Sequence, residues 1–257
     1  MTKSIKIDTD GSCKFQYPHF LVDVLMIEIS KNIFDYDVVY RVKDYKNTIG
    51  NFNKIYEEVM GVQNIEIPRE EFDKIQADKL FTNSLRIKYK KDMIDKMKNY
   101  IFEKYKISID SSYPKVILIE RGDSVRLIDD ETLYRETVEK RVHYNGKHKR
   151  MIKGIEEVKN FLDIENIDYE CLVLEQIDFK QQVKYFYNAN AVIGVHGGGL
   201  TNCIFSRENT VVIETEPIRD EYYSKLALCA GMKYYSCGEE PKDIIKTIEG
   251  KINEYSI

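Results

Sequence analysis

The residues most able to do chemistry lie in the segment 191–217, which reads AVIGVHGGGLTNCIFSRENTVVIETEP. A buried strand is predicted over 191–195, and a short helix over 200–206 follows a run of three glycines. Glycine permits positive φ and lets a bulky anion approach the main chain. A helix that starts after such a turn directs unpaired N–H groups and the positive end of its dipole toward the anion. This order of strand, glycines and helix therefore predicts a turn that holds a diphosphate.

Side chains beside this turn could support a bound nucleotide. His196 follows the predicted strand directly, at the carboxyl end where open parallel sheets place their ligands. Thr201 and Asn202 could add side-chain donors to the phosphates. Glu214 ends the next predicted strand, where a carboxylate could accept hydrogen bonds from two ribose hydroxyls. The alternative interpretation is a tight turn between a strand and a helix that binds nothing.

Other glycine-rich motifs fit this segment poorly. The dinucleotide fingerprint G-x-G-x-x-G fails because Asn202 stands in place of its last glycine. A Walker A loop is excluded because no glycine is followed by Lys and Ser or Thr at the required place. His-Gly-Gly-Gly also occurs in the oxyanion loop of some esterases, which need a G-x-S-x-G elbow. The nearest candidate, 122–126, has Arg126 in place of its last glycine, which argues against an esterase.

Stretches of the second half resemble the glycosyltransferase 61 family. VIGVHGGGLTNCIFSRENTVVIETEP is similar to its signature, a strand followed by His-Gly-Ala-Gly-Leu-Thr-Asn and a strand ending in glutamate, with Gly198 replacing the alanine. LEQIDFKQQVKYFYNANAVIG resembles the stretch leading into that strand, including Gln182. VILIERGDSVRLI resembles the family's strand with two spaced arginines, here Arg121 and Arg126. Together with the glycine turn, these motifs predict donor contacts for Arg121, Arg126, His196, Gly197, Gly198, Gly199, Leu200, Thr201, Asn202 and Glu214.

The first half carries a weaker resemblance to the same family. FQYPHFLVDVLMIEI is similar to the family segment that opens with an aromatic-flanked histidine and an aspartate four residues later, here His19 and Asp23. Residues four apart share one face of a helix. Asp23 could therefore orient His19, or itself take the proton of an acceptor hydroxyl as an inverting reaction requires. The alternative is a helix whose histidine packs at a domain edge.

The resemblance implies a GT-B-like α/β fold with two Rossmann-like parallel-sheet domains and a cleft between them. It implies inverting transfer from a UDP-sugar, such as UDP-N-acetylglucosamine or UDP-xylose, to a glycan or another hydroxyl acceptor. No cofactor and no metal are expected, since protein dipoles and cations stabilise the leaving diphosphate. One departure is the segment Thr132–Arg150, interpreted as an insertion. Its basic residues could cover the donor's phosphates, but solvated surface is the favoured interpretation.

Alternating strands and helices are predicted to position these residues. Strands are predicted over 37–41, 116–120, 169–174, 191–195 and 210–215. Helices are predicted over 19–30, 52–60 with a stop at Gly61, 87–105, 152–162, 179–189, 200–206 and 244–255. Residues 1–17 are interpreted as a polar lead-in. A junction near 106–114 divides the chain into an N-terminal acceptor-side domain, 1–110, and a C-terminal nucleotide-sugar-binding domain, 111–257.

Composition narrows the partners and the location. The net charge of −4 argues against a nucleic-acid binder. The sequence contains no run of 18 apolar residues, so no membrane span is predicted. The five cysteines are scattered and include no C-x-x-C pair. The sequence also lacks an N-x-S/T site and an apolar signal core, and together these features favour a cytoplasmic protein. The sugar, the acceptor, and whether the chain forms a homo-oligomer stay open.

Rival functions are tied to particular residues. A metal-dependent GT-A enzyme would need an Asp-x-Asp motif, which 8–10 and 35–37 both match in letters. Chance matches are expected in a chain with 43 acidic residues. A non-catalytic protein that binds nucleotide-sugar or glycan is the second rival, because the N-terminal half is small for an acceptor domain. An NAD-dependent oxidoreductase is disfavoured by the missing fingerprint.

Overall fold

The computed structural model describes residues 2–9, 14–44, 47–83, 90–123, 151–216 and 221–252. They form two compact units, one within residues 2–104 and the other within residues 105–252. Each unit contains one parallel sheet connected by helices. The predicted α/β class with two Rossmann-like parallel-sheet domains is confirmed. Arg126 and the predicted insertion 132–150 lie outside the described residues.

The N-terminal unit contains a four-stranded sheet in the order β3-β2-β1-β4. Its strands are β1 (Ser4–Thr9), β2 (Val38–Val42), β3 (Gln63–Ile67) and β4 (Lys79–Asn83). β1 corrects the prediction of a polar lead-in, because it pairs with β2 on one side and β4 on the other. Ile5 and Ile7 are buried in the core, while the alternating polar residues are only half-buried. Only two isoleucines alternate with polar residues in this strand, and so short an alternation is a weak signal for a strand.

Helical segments of the N-terminal unit carry its candidate catalytic residues. They are Tyr17–His19, Phe20–Met26 in π-helical form, Ile27–Ser30, Ile33–Asp35, Gly50–Phe52, Asn53–Met60, Arg69–Lys74 and Lys91–Tyr105. The predicted stop at Gly61 is confirmed. This residue has φ +70° and its N–H donates to the Glu57 carbonyl at 2.9 Å, which is the left-handed helix end that glycine favours.

A buried ion pair ties that first helical run to β2. Arg41 and Glu28 lie 2.6 Å apart, with side chains only 1% and 3% exposed. The Tyr56 hydroxyl donates to the same Glu28 oxygen at 2.7 Å, and Arg41 Nε donates to Asn64 at 2.8 Å. Burial, followed by the Glu28 charge, raises the pKa of Tyr56 well above its usual range, so this hydroxyl stays a donor.

The C-terminal unit contains a five-stranded sheet in the order β6-β5-β7-β8-β9. Its strands are β5 (Val116–Glu120), β6 (Tyr169–Val173), β7 (Ala191–Val195), β8 (Val211–Thr215) and β9 (Lys233–Cys237). Its helical segments are Ile155–Ile164, Leu174–Gln176, Phe179–Asn188, Gly198–Phe205, Tyr222–Cys229 and Pro241–Ile252. β7 and β8 are buried along their whole length, as strands with neighbours on both sides and helices over both faces must be.

Elements that were not predicted include the strands β3, β4 and β9 and the helices Arg69–Lys74 and Tyr222–Cys229. β9 is an edge strand whose residues are mostly half-buried, so its apolar pattern is weak. Within the described residues, no helix combines the length and the apolar character needed to span a bilayer.

Candidate functional site

The glycine turn lies at the carboxyl end of the central strand β7. The His196 amide donates to the Thr215 carbonyl at 3.3 Å, and the Leu200 amide donates to the Gly197 carbonyl at 2.9 Å. The helix Gly198–Phe205 begins there in 3-10 form. The first amides of a helix have no acceptor within that helix. Gly198 and Gly199 are half-buried, so their backbones reach the surface at this point.

Gly197 shows why glycine is needed in this turn. Its backbone is extended, with φ 168° and ψ 169°, and neither Gly198 nor Gly199 has a positive φ, so the expectation that the glycines of this turn supply positive φ is wrong. Close approach is the relevant feature instead, because a Cβ at Gly197 would overlap the Arg121 guanidinium, and this flexible side chain would have to move away from the turn. Gly199 is constrained by packing, since its Cβ would lie 3.0 Å from both Ile119 and Leu174. Arg121 therefore lies directly against the glycine turn, next to β5.

His196 and Glu214 form a buried pair across β7 and β8. The distance from His196 Nδ1 to Glu214 Oε1 is 2.5 Å, with side chains 10% and 3% exposed. The Tyr234 hydroxyl on β9 donates to the other carboxylate oxygen, Oε2, also at 2.5 Å. The structure thus gives both oxygens of Glu214 partners within the protein, while its contact with a ribose stays a prediction.

Other residues of the predicted donor set face the protein interior. Leu200, Thr201 and Asn202 are each at most 1% exposed. Asn202 Nδ2 donates to Gln182 at 2.8 Å, and Gln182 donates to the Leu174 and Ile177 carbonyls, both at 2.9 Å. In this conformation Asn202 anchors the turn through Gln182 and Thr201 is fully buried, while donation by their side chains to phosphates stays a prediction. The Leu200 amide is likewise occupied by the Gly197 carbonyl.

Tyr223 is a site residue that sequence reasoning missed. Its ring packs edge-on against the His196 ring with 4.8 Å between centroids. Burial raises the pKa of Tyr223 well above its usual range, although Thr201 and the positive charge of Arg121 oppose that shift. Tyr223 is therefore an uncharged side chain that packs against His196 and is influenced by the charge of Arg121. No local motif marks it, because its helix is brought to the turn only by the fold.

The predicted pair His19 and Asp23 is formed in the N-terminal unit. His19 Nδ1 lies 2.8 Å from Asp23 Oδ2, with side chains 29% and 23% exposed, so both are partly accessible. Asp23 lies in the π-helical segment Phe20–Met26, a geometry that is often associated with functional sites. The shared helix face inferred from the spacing is confirmed, whereas a role as base stays a prediction.

Lys14 is a second residue that sequence reasoning missed. It is 2% exposed, and its Nζ donates to the hydroxyl of Thr9 at the end of β1. Burial lowers the pKa of Lys14 to about 8, and the Arg41 charge acts in the same direction, while Glu28, Asp23 and Asp44 oppose both. Lys14 thus belongs to the charged surroundings of Asp23. A lysine in a polar segment gives no sequence signal of such burial.

In each Asp-x-Asp motif one aspartate has a structural partner. Asp8 accepts hydrogen bonds from Arg69 at 2.5 and 3.0 Å, and Asp37 accepts one from the Lys3 amide at 2.7 Å. Across the described residues, no cluster of three or more His, Cys, Asp or Glu side chains is arranged to hold a metal. Asp10 lies outside those residues.

A family comparison now bears on this geometry. The model of the family described as Glycosyltransferase 61 matches residues 17–213, which include the His19–Asp23 pair, Arg121 and the glycine turn. The chain belongs to the glycosyltransferase 61 family. Lys14, Glu214, Tyr223 and Tyr234 lie outside the matched range.

Two further comparisons place this family member among known proteins. A stretch of 74 residues is 32% identical to the EGF domain-specific O-linked N-acetylglucosamine transferase of Gallus gallus. The stretch covers 28% of this chain and only 13% of that relative's length. The solved structure of E. coli heptosyltransferase WaaC with ADP is 8% identical, with a TM-score of 0.40 and 98% of each chain covered.

Proposed function

We propose that this glycosyltransferase 61 member transfers a sugar from a UDP-sugar to a hydroxyl of a glycan or glycoconjugate, with inversion and without a metal. One observation carries the donor assignment: the Arg121 guanidinium lies against Gly197, beside the half-buried backbones of Gly198 and Gly199. A fixed cation and the first amides of a helix are two independent groups that favour an anion. A diphosphate is the anion that a UDP-sugar donor presents.

The chemistry places the largest demand on the leaving group. As the bond between the anomeric carbon and the diphosphate oxygen breaks, negative charge grows on the β-phosphate. Arg121 and the glycine amides are already oriented, so they stabilise that charge without reorganisation at the moment of reaction. This preorganised charge stabilisation is the basis for proposing catalysis without a metal.

The N-terminal unit is proposed to supply the base. The acceptor hydroxyl must lose its proton as it attacks the anomeric carbon, and a carboxylate or imidazole can take that proton. Asp23 and His19 are hydrogen-bonded to each other and partly accessible, as a general base requires.

The cytoplasmic location stays a prediction.

A donor panel tests the proposal directly. Binding of UDP-, GDP- and TDP-sugars would be measured by thermal shift and calorimetry, followed by assays for hydrolysis and transfer. The likeness to an O-linked N-acetylglucosamine transferase supports UDP-N-acetylglucosamine as the first donor to test. Binding of none of the nucleotides would contradict the donor site. Binding without hydrolysis or transfer would leave a non-catalytic nucleotide-sugar-binding protein.

Gly197→Ala is expected to lower UDP affinity roughly tenfold or more, the scale of a lost hydrogen bond to a charged group. The new Cβ would occupy the space of the Arg121 guanidinium and displace it from the turn. Calorimetric titration with UDP measures the effect. Gly250→Ala is the matched control, because a Cβ there meets nothing within 4 Å. Equal UDP affinity in Gly197→Ala and the wild type would contradict the role of this contact.

Asp23→Asn is expected to lower kcat by roughly 100-fold or more, while the donor Kd stays unchanged. Asparagine keeps the shape of the side chain but cannot accept the acceptor's proton. Steady-state transfer kinetics and UDP titration separate the two quantities. Asp95→Asn is the control, since Asp95 pairs with Lys91 on an exposed helix face of the same unit. Wild-type turnover in Asp23→Asn would remove this residue as the base.

A further inference from the structure

The hydrogen-bond chain Tyr234–Glu214–His196 links three neighbouring strands of the C-terminal sheet. We propose that Glu214 and Tyr234 are positioning residues that act on the donor's diphosphate through His196, and that Glu214 is not a ribose ligand. This inference rests on the proposed function for the identity of the donor. It assigns a role to Tyr234, which lies beyond the residues matched by the family.

Sheet register brings the three side chains together. β7, β8 and β9 are consecutive in the sheet, and Glu214 is paired with Gly194 on one side and Ser236 on the other. His196 is two residues after Gly194 and Tyr234 two before Ser236, so all three side chains share a face of the sheet. Diagonal neighbours on one face are within reach of long side chains. Strand pairing alone therefore produces the chain.

The carboxylate of Glu214 determines where the proton of His196 resides. An ionised carboxylate only accepts hydrogen bonds, so the Nδ1 atom, 2.5 Å from Oε1, carries the proton between them. Tyr234 donates to Oε2, which fixes the second oxygen and with it the carboxylate plane. A carboxylate that holds one ring nitrogen fixes both the tautomer and the orientation of an imidazole. Tyr223, packed edge-on against the ring, limits its rotation further.

Burial argues against direct contact between Glu214 and a ribose. The residue is 2% exposed, and each of its oxygens already has a protein donor. A ribose hydroxyl would have to reach a carboxylate that lies below the surface behind His196, whose side chain is 10% exposed. The effect of Glu214 on a ligand must therefore pass through His196, and its target is the charged part of the donor at the adjoining glycine turn.

Affinities for three ligands distinguish the two roles of Glu214. UDP, uridine and inorganic pyrophosphate would be titrated into the wild type, Glu214→Gln and Tyr234→Phe. Weaker binding of UDP and pyrophosphate in parallel is expected, roughly tenfold in Glu214→Gln and about threefold in Tyr234→Phe, with uridine affinity unchanged. In a His196→Ala background neither substitution should have a further effect. Tyr235→Phe on the same strand is the control.

The ligand-free protein provides a second readout that does not depend on the donor. NMR of the imidazole N–H groups should show a far-downfield proton resonance for His196 Nδ1. This resonance should be absent in His196→Ala and should move upfield in Glu214→Gln. An unprotonated Nδ1, or a loss of uridine and UDP affinity with unchanged pyrophosphate affinity, would overturn the proposal. If the wild type bound pyrophosphate but no nucleotide, and Glu214→Gln still weakened pyrophosphate binding, only the proposed function would be contradicted.

Discussion

Arg121→Ala is expected to lower kcat/KM for transfer by roughly 1000-fold, the larger of the effects that a single preorganised charge contributes to such a reaction. UDP affinity should fall by about 10- to 100-fold, because a charge-assisted contact with phosphate is lost. Arg121 lies against Gly197, so its guanidinium is already positioned before the donor binds. Its planar fork can meet two phosphate oxygens at once. Transfer kinetics and calorimetric titration with UDP measure the two effects.

Two companion variants separate geometry from charge at this position. Arg121→Lys keeps the positive charge but loses the fork, so an intermediate loss of UDP affinity is expected. Lys180→Ala removes a cation from the same unit at a position where the ammonium lies 5.9 Å from the Tyr105 ring centroid. It should leave UDP affinity within about twofold, the size of a remote, screened charge effect. If Arg121→Ala and Lys180→Ala behaved alike, Arg121 would have no place in the donor site.

Glu28→Ala is expected to lower the free energy of unfolding of the N-terminal unit by about 3–5 kcal/mol, because it leaves the Arg41 charge buried without its partner. Arg41 is 1% exposed, so water cannot replace the lost carboxylate without opening the core. The Tyr56 hydroxyl would also lose its acceptor at 2.7 Å. Urea unfolding followed by circular dichroism measures the change.

Milder and surface substitutions calibrate that result. Tyr56→Phe removes only one hydrogen bond to Glu28 and should cost about 1–3 kcal/mol. Asp95→Ala removes an exposed ion pair with Lys91 and should change the free energy of unfolding by less than about 1 kcal/mol. A Glu28→Ala protein as stable as Asp95→Ala would show that the buried pair does not stabilise the unit.

The glycine turn proposed as the donor site could be predicted in part from the sequence because its main signal is contiguous. The strand before the glycines, the turn and the following helix occupy 191–205, and the structure has all three. The same is true of His19 and Asp23, whose contact follows from helical spacing. β1 was missed because a short alternation of isoleucines with polar residues is a weak signal on its own.

Side-chain exposure was the part of the site that sequence reasoning could not supply. Thr201 and Asn202 lie two and three residues after the last glycine, yet they are fully buried and Asn202 is bonded to Gln182. A polar side chain next to such a turn can face a ligand or the core. The sequence does not distinguish these two orientations. The packing of Phe179–Asn188 against the helix after the turn decides which one is realised.

The sequence by itself determined the family, the parallel α/β class and the order of strand, glycines and helix, because each depends on neighbouring residues or on local periodicity. Only the tertiary structure decided that Arg121 lies on Gly197, that Tyr234 and His196 share the Glu214 carboxylate, and that Lys14 is buried at the end of β1. Those contacts depend on strand order and register, which bring together residues that are distant along the chain and carry no mark of their partners.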